Sequence, residues 1–226
     1  MKKIVILSGA GMSAESGIAT FRDADGLWEG HDVMQVASPE GFKRNPELVL
    51  DFYNQRRKNL LEAKPNKGHE NLAALQKDFD VQIITQNVDD LHERAGSKKV
   101  IHLHGELFKV RSTGKDKTSI TWKKDLNIGD LCKNAKQLRP DIVWFGEMVP
   151  ALEQAIPLCL QADIFVVIGT SLLVYPAASL IEYTKKDALK FIIDPKIPSI
   201  SDSSFIRIEK GAVKGTKILK EKLKTL

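Results

Sequence analysis

The sequence predicts an α/β protein, a doubly wound parallel sheet with a small second subdomain. Two features carry this reading. Short runs that are β-branched and almost continuously apolar, as strands buried on both faces are, recur along the chain. Between them lie stretches with helical spacing of apolar residues, and strands alternating with helices build a doubly wound sheet. The ligand of such a sheet sits at the carboxyl ends of its strands.

Taken in order, the first strand is IVILS (4–8), which runs into GAGMSAESGIATFRDADGLW (9–28). Gly9 and Gly11 permit a tight turn and a close backbone approach to a pyrophosphate, and Arg22 suits an anionic ligand. Ser13 and Ala14 follow where a dinucleotide fingerprint has its third glycine, so the pattern alone is weak. PELVLDFYNQRRKNLLEA (46–63) is a helix opened by Pro46 with Glu47 in its first turn. GHENLAALQKDF (68–79) is a second, amphipathic helix, and VQIIT (81–85) is the next strand.

TQNVDDLHERAG (85–96) brings Gln86, Asn87 and Asp89 to the edge where a ligand is expected; a helix N-cap explains Asp90 at least as well. VIHLHGEL (100–107) reads as a short strand in which His102 and His104 face opposite sides. Two such histidines do not readily share a metal, but His104 has the ordinary pKa of a general base near neutrality. Residues 109–140 are rich in Lys, Thr, Ser and Asp and break the alternation, which predicts a small excursion or subdomain. DIFVVIG (163–169) precedes Thr170 and Ser171, whose hydroxyls suit a phosphate or ribose, or an ordinary N-cap. PAASLIEYTKK (176–186) reads as a helix, KFIID (190–194) as a strand ending in Asp194, and VKGTKILKEKLKTL (213–226) as the closing helix.

The bulk composition fits these elements. With 226 residues, 42% hydrophobic and 28% charged, the chain holds one sizeable core. A net charge of +5 favours a polyanionic cofactor or acidic partner. It is too small, and too little interleaved with aromatics, to indicate nucleic acid. Cys132 and Cys159 cannot form a disulfide framework or a four-cysteine metal site. No run is long enough to span a membrane, and the apolar stretch after Lys2 and Lys3 is too short for a signal peptide, so the chain reads as cytoplasmic.

GAGMSAESGIATFR, TQNVD, HLHGE, LRPDIVWFGE and VVIGTS occur in this order and spacing, and together they resemble the sirtuins, NAD-dependent protein lysine deacylases. The resemblance spans roughly Lys2 to Val213. It implies a Rossmann-like single domain over 1–226, with a small subdomain built from insertions at approximately 30–67 and 109–140. It further implies a monomer acting on acylated lysines of protein substrates.

Residue by residue, the resemblance implies that His104 is the catalytic base. Gly9, Ala10, Gly11, Ala14, Thr20, Phe21, Arg22 and Trp28 would belong to the NAD loop. Gln86, Asn87 and Asp89 would hold the nicotinamide ribose and carboxamide, and Gly169, Thr170 and Ser171 the adenosine half. Asp194 stands where many relatives have Asn, and Ala212 matches a backbone contact near the adenine. Val143, Phe145, Gly146 and Glu147 would form a strand-like bed for the substrate peptide. The reaction so implied consumes NAD: the acyl oxygen attacks the ribose carbon as nicotinamide departs, His104 deprotonates a ribose hydroxyl that attacks the imidate carbon, and water then releases free lysine and O-acyl-ADP-ribose.

Two departures from the family pattern matter. Most sirtuins bind structural zinc through two cysteine pairs, which here read Ser112 with Lys115 and Cys132 with Ala135. One thiol is not a zinc site, so the module at 109–140 is expected to fold without metal, held by hydrogen bonds and Trp122 packing. The loop SGIATFRDADGLW resembles that of the class III sirtuins, which remove succinyl and malonyl groups. Their Tyr-x-x-Arg pair is Tyr53 and Arg56 here, one helical turn apart, able to grip a carboxylate, and Ala37 would leave room for a longer acyl chain. Beside Arg57, the same pair also reads as a solvated basic face.

Two other functions compete: mono-ADP-ribosyl transfer from the same pocket, and a non-catalytic NAD or ADP-ribose sensor. An ordinary Rossmann oxidoreductase is disfavoured, because no acidic residue clearly ends a second strand at the required distance.

Overall fold

A computed structural model describes residues 1–20, 27–28, 30–116, 118–200 and 202–224. The chain opens with β1 (Lys3–Ser8), then β2 (Leu27–Trp28) and β3 (His31–Asp32), a short antiparallel pair. Four helices follow: α1 (Val33–Val36), α2 (Pro39–Arg44), α3 (Pro46–Glu62) and α4 (Lys67–Ala74). Next come β4 (Asp80–Thr85), α5 (Leu91–Arg94), β5 (Val100–His102), β6 (Gly105–Ser112), β7 (Ile120–Thr121) and β8 (Leu138–Ile142). The last part holds α6 (Leu152–Gln161), β9 (Ile164–Ile168), β10 (Leu189–Ile193), β11 (Phe205–Ile208) and α7 (Ala212–Leu223).

The main sheet has the order β11-β10-β9-β1-β4-β5, parallel throughout. β1 lies between β9 and β4, so the winding direction reverses there, and a crevice opens beyond its carboxyl end. One apolar layer, with Ile4, Ile6, Leu72 and Leu219, covers one face of the sheet; another, with Val5, Leu7, Phe165 and Leu180, covers the other. This two-sided burial is why the strands read as continuous apolar runs.

Asn45 caps α3 by accepting from Leu48 N at 3.1 Å, just ahead of Pro46. α3 packs with α1, with Leu107 and Ile142 of the three-stranded antiparallel sheet β7-β6-β8, and with Trp144 just beyond β8. Two expected helices are altered. The segment from Gly68 is α-helical only to Ala74 and then tightens to a 3-10 turn over Leu75–Lys77. Residues Ala177–Tyr183 form a 3-10 helix, which lines up Ala177 and Leu180 on one buried side.

Residues 109–140 supply part of the small sheet, at 109–112, 120–121 and 138–140, and loops between its strands. Trp122 donates its indole N–H to Asp125 O at 3.1 Å and packs on a cluster of Leu50, Val110, Leu126 and Leu138. Cys132 Sγ contacts Ser112 Oγ at 3.3 Å, and Cys132 N donates to Lys136 O. Among the described residues, no group of three or more His, Cys, Asp or Glu is arranged to hold a metal, and no helix is long and apolar enough to cross a membrane.

Candidate active site

The loops after β1 and β9 meet at the sheet's carboxyl edge. Gly9 N donates to Ile168 O at 2.9 Å, and Gly11 N to Gly169 O at 2.8 Å. A Cβ on Gly9 would lie 2.7 Å from Gly169 O, and one on Gly11 2.8 Å from Gly169 Cα. Gly169 itself has φ +63°, where a side chain is strained. The partner loop takes the space that side chains at Gly9 and Gly11 would fill, so the tight turn expected of these glycines also packs the two loops together. Both still line the cavity that opens above this contact.

That cavity has a volume of about 670 Å³, within the range of small-molecule sites. Its walls bring together Gly9, Ala10, Gly11, Ala14, Thr20 and Trp28 with Gln86, Asn87, Asp89 and His104. Gly169, Thr170, Ser171 and Asp194 close another side, and Ala37, Tyr53, Arg56, Val143, Phe145, Gly146 and Glu147 the last. Phe21 and Arg22 lie outside the described residues. Ala212 is the exception: it is buried at the start of α7, and Gly211 before it lines the cavity instead.

The polar floor is a connected network. Ser13 Oγ donates to Asp89 Oδ2 at 2.8 Å and accepts from Asn87 Nδ2 at 3.1 Å. Asp89 Oδ1 also accepts from Leu91 N at 3.1 Å, whereas Asp90, at the N-cap of α5, makes no side-chain cap bond. Burial pushes the Asp89 carboxyl above its ordinary value, against the pull of the Ser13 and Leu91 donors. Gln86 Nε2 donates to Thr170 Oγ1 at 3.0 Å, joining the loops after β4 and β9. Asp194 is buried and caps its own turn by accepting from Lys196 N. Ser13 was visible in the sequence only as a missing glycine, yet it joins Asn87 to Asp89.

His104 does not share a strand with His102. It occupies the turn between β5 and β6, with Gly105 at φ +80° behind it. Its Nδ1 donates to Gln86 O at 3.0 Å, which leaves the lone pair on Nε2. Burial lowers its pKa, and the Gln86 carbonyl offsets part of that. His102 instead pairs with Glu93 Oε1 at 2.8 Å and Asn87 O at 3.1 Å. Burial depresses His102, but the Glu93 hydrogen bond and charge outweigh it and raise the pKa.

Tyr53 and Arg56 are not on a solvated face; they are 0% and 7% exposed. The Arg56 guanidinium carbon stacks 4.1 Å from the Trp28 ring centre, a cation–π contact. Arg57, 1% exposed, points elsewhere: it donates to Leu107 O and Asn54 Oδ1, and burial lowers it to about 10. Burial pushes the Tyr53 phenol up to about 12, so it stays protonated.

None of the four residues expected to form a strand-like bed, Val143, Phe145, Gly146 and Glu147, lies in a strand. β8 ends at Ile142, Val143 N donates to His104 O, and Phe145–Gly146 form a turn closed by Glu147 N on Trp144 O. Glu147 holds Arg139 through both carboxylate oxygens, at 2.7 and 2.9 Å, and Arg111 at 3.2 Å. Burial alone would raise its pKa, but these guanidinium groups keep it below the ordinary value. Trp144, which sequence reasoning passed over between Val143 and Phe145, sits at the centre of this corner.

The donor set fits an adenine dinucleotide. Paired glycine turns at the winding reversal, amide groups of Gln86 and Asn87, hydroxyls of Thr170 and Ser171, and a neutral imidazole converge on one cavity. The comparisons agree. A model of the Sir2 family matches residues 9–176. The chain is 66% identical over 196 residues to an NAD-dependent protein deacylase of Helicobacter pylori, covering 87% of this chain and 86% of the relative. It is 54% identical over 231 residues to an NAD-dependent protein deacylase of Bacteroides thetaiotaomicron, covering 99% and 98%. Among solved structures, a Sir2 homologue in complex with NAD superposes with a TM-score of 0.89 at 39% identity, covering 99% of this chain and 90% of that one.

Proposed function

Because the chain belongs to the Sir2 family and is an NAD-dependent protein deacylase, we propose that it removes succinyl and malonyl as well as acetyl groups from lysine. The observation that carries this reading is the buried Tyr53–Arg56 pair on the cavity wall. The Arg56 guanidinium brings a planar fork of donors to that wall, the geometry that matches the carboxylate end of an acidic acyl chain.

Bound NAD supplies an electrophilic ribose carbon once its nicotinamide leaves. Gln86, Asn87, Thr170, Ser171 and Asp194 hold its sugars and amide, beside the turn at Gly9–Gly11. His104 Nε2 accepts the ribose hydroxyl proton, its ring fixed by the Gln86 carbonyl. Tyr53 donates one hydrogen bond to the acyl carboxylate and Arg56 two. Ala37, buried and small, keeps that end of the cavity open.

The test pairs acetyl-lysine and succinyl-lysine peptides with NAD, read by mass spectrometry, with His104→Ala as the blank. Arg56→Met should lower the succinyl-to-acetyl ratio of kcat/KM by about 100-fold, the scale of losing a buried charge partner. If both activities fall together, the acidic-acyl reading is wrong. If ADP-ribose is transferred to the peptide and no acyl group leaves, the product is that of a mono-ADP-ribosyltransferase.

A further inference from the structure

Trp144 is 2% exposed and fixed on every side. The Arg139 guanidinium carbon lies 3.3 Å from its ring centre, and the Phe42 ring centre 5.3 Å away. Its backbone N donates to Glu147 Oε2 at 2.8 Å, and the same Glu147 binds Arg139. Phe145 N, the next in the chain, donates to Ala37 O at 2.9 Å and ties the corner to the opposite wall. The one polar atom of the indole, Nε1, lies 2.9 Å from Tyr53 Oη.

The direction of that last bond is not open to choice. An indole N–H can only donate, so the Tyr53 oxygen accepts. The phenol hydrogen must then point away from Trp144, and among the described residues no acceptor meets it. Tyr53 and Arg56 line the same cavity wall. We propose that Trp144 is a positioning residue for acidic acyl groups: its N–H occupies Tyr53 Oη as acceptor and so aims the phenol hydrogen at the substrate carboxylate beside Arg56. The brace extends outward through Arg139 and Glu147 to Arg111, so the small sheet holds the orientation of a hydroxyl in the acyl pocket. A Phe or Leu at 144 would fill the same apolar corner and leave the phenol free to rotate.

This inference rests on the acidic-acyl reading, and the experiment separates the two. kcat and KM are measured on succinyl- and acetyl-lysine peptides for the unaltered protein, Trp144→Phe, Tyr53→Phe and the double variant. Trp144→Phe should lower the succinyl-to-acetyl ratio of kcat/KM by about tenfold, mainly through KM for the succinyl peptide, the size of one well-made hydrogen bond to a charged group. In the Tyr53→Phe background the same change should add no further loss of ratio, because the hydroxyl it aims is already gone. Should Trp144→Phe fail to fold, 3-benzothienylalanine at 144 keeps the bicyclic shape and lacks only the N–H, with the same expected result. Equal loss on both peptides, or losses of ratio that multiply in the double variant, overturns the positioning role. If Tyr53→Phe and Arg56→Met both leave the ratio unchanged, the acidic-acyl reading fails first and takes this inference with it.

Discussion

At the scale of single residues, the site works by committing one atom of a group so that another is free. His104 gives Nδ1 to the Gln86 carbonyl and keeps Nε2 as a base. Burial lowers its pKa, so the neutral form already dominates at physiological pH. The acid limb of kcat/KM against pH should therefore have its midpoint below the ordinary imidazole value of about 6.5, and a midpoint above it would remove His104 as the base. Ser13 makes the same kind of commitment, giving its hydrogen to Asp89 and its lone pair to Asn87. Ser13→Ala takes one donor from a carboxylate that burial already raises, and leaves Asn87 without its acceptor. We expect kcat/KM to fall by about tenfold or more, and the unfolding midpoint to drop by a few degrees because buried polar groups lose their partner, as steady-state kinetics beside a thermal melt would show. A retained kcat/KM would mean that the network is packing alone.

At the scale of elements, the two turns after β1 and β9 behave as one unit. Their contact is backbone against backbone, so it has no flexible side chain to give way. Gly11→Ala would drive a methyl to 2.8 Å from Gly169 Cα, and the turns must separate. That overpacking should cost about 2 kcal/mol, or roughly 4–8 °C in a thermal melt for a chain of this size, with a loss of NAD affinity in calorimetry. An unchanged melt would show that the loops need not touch. β1, β4, β9 and β10 were legible to within a residue, because strands covered on both faces carry their burial in their composition. α3 was legible from Pro46 and its apolar spacing. The pair at Ile120–Thr121 was not, since two exposed residues make no pattern. Nor was the turn that separates His104 from His102, which Gly105 sets through its close packing on Asp141 O. Tyr53 and Arg56 were named from the resemblance to class III sirtuins, since their spacing alone fits a solvated basic face equally well; their burial depends on Trp28 and Trp144, brought in from distant parts of the chain.

At the scale of the whole molecule, a pair of buried histidines joins α4, α5 and β1 beneath the site. His69 and His92 stack with ring centres 4.9 Å apart. Asn66 N donates to His69 Nδ1, and His92 Nε2 meets Ser8 Oγ at 3.0 Å. Both are almost wholly buried, and His69 Nε2 and His92 Nδ1 have no hydrogen-bond partner among the described residues. Burial pushes His69 down to about 4 and holds His92 well below its ordinary value, with each cationic neighbour lowering it further. The unfolded chain therefore binds protons that the folded one refuses. Stability from these two groups is complete above about pH 6.5 and is lost as the pH falls toward the folded value near 4. His102 works the other way: its raised pKa contributes stability below about 6.5 that is lost as the pH rises. Burial lowers His104 as well, so three histidines oppose one and the descent wins. His69 alone accounts for about 2 kcal/mol at pH 5, and we expect a net loss of about that size between pH 7 and pH 5 in denaturant titrations. It should come before the carboxylates near the surface protonate in number, and so before ordinary acid unfolding begins. Stability that stays level or rises over that interval would mean that water or a shift of α4 lets His69 ionise within the fold, and that the pair is not sealed.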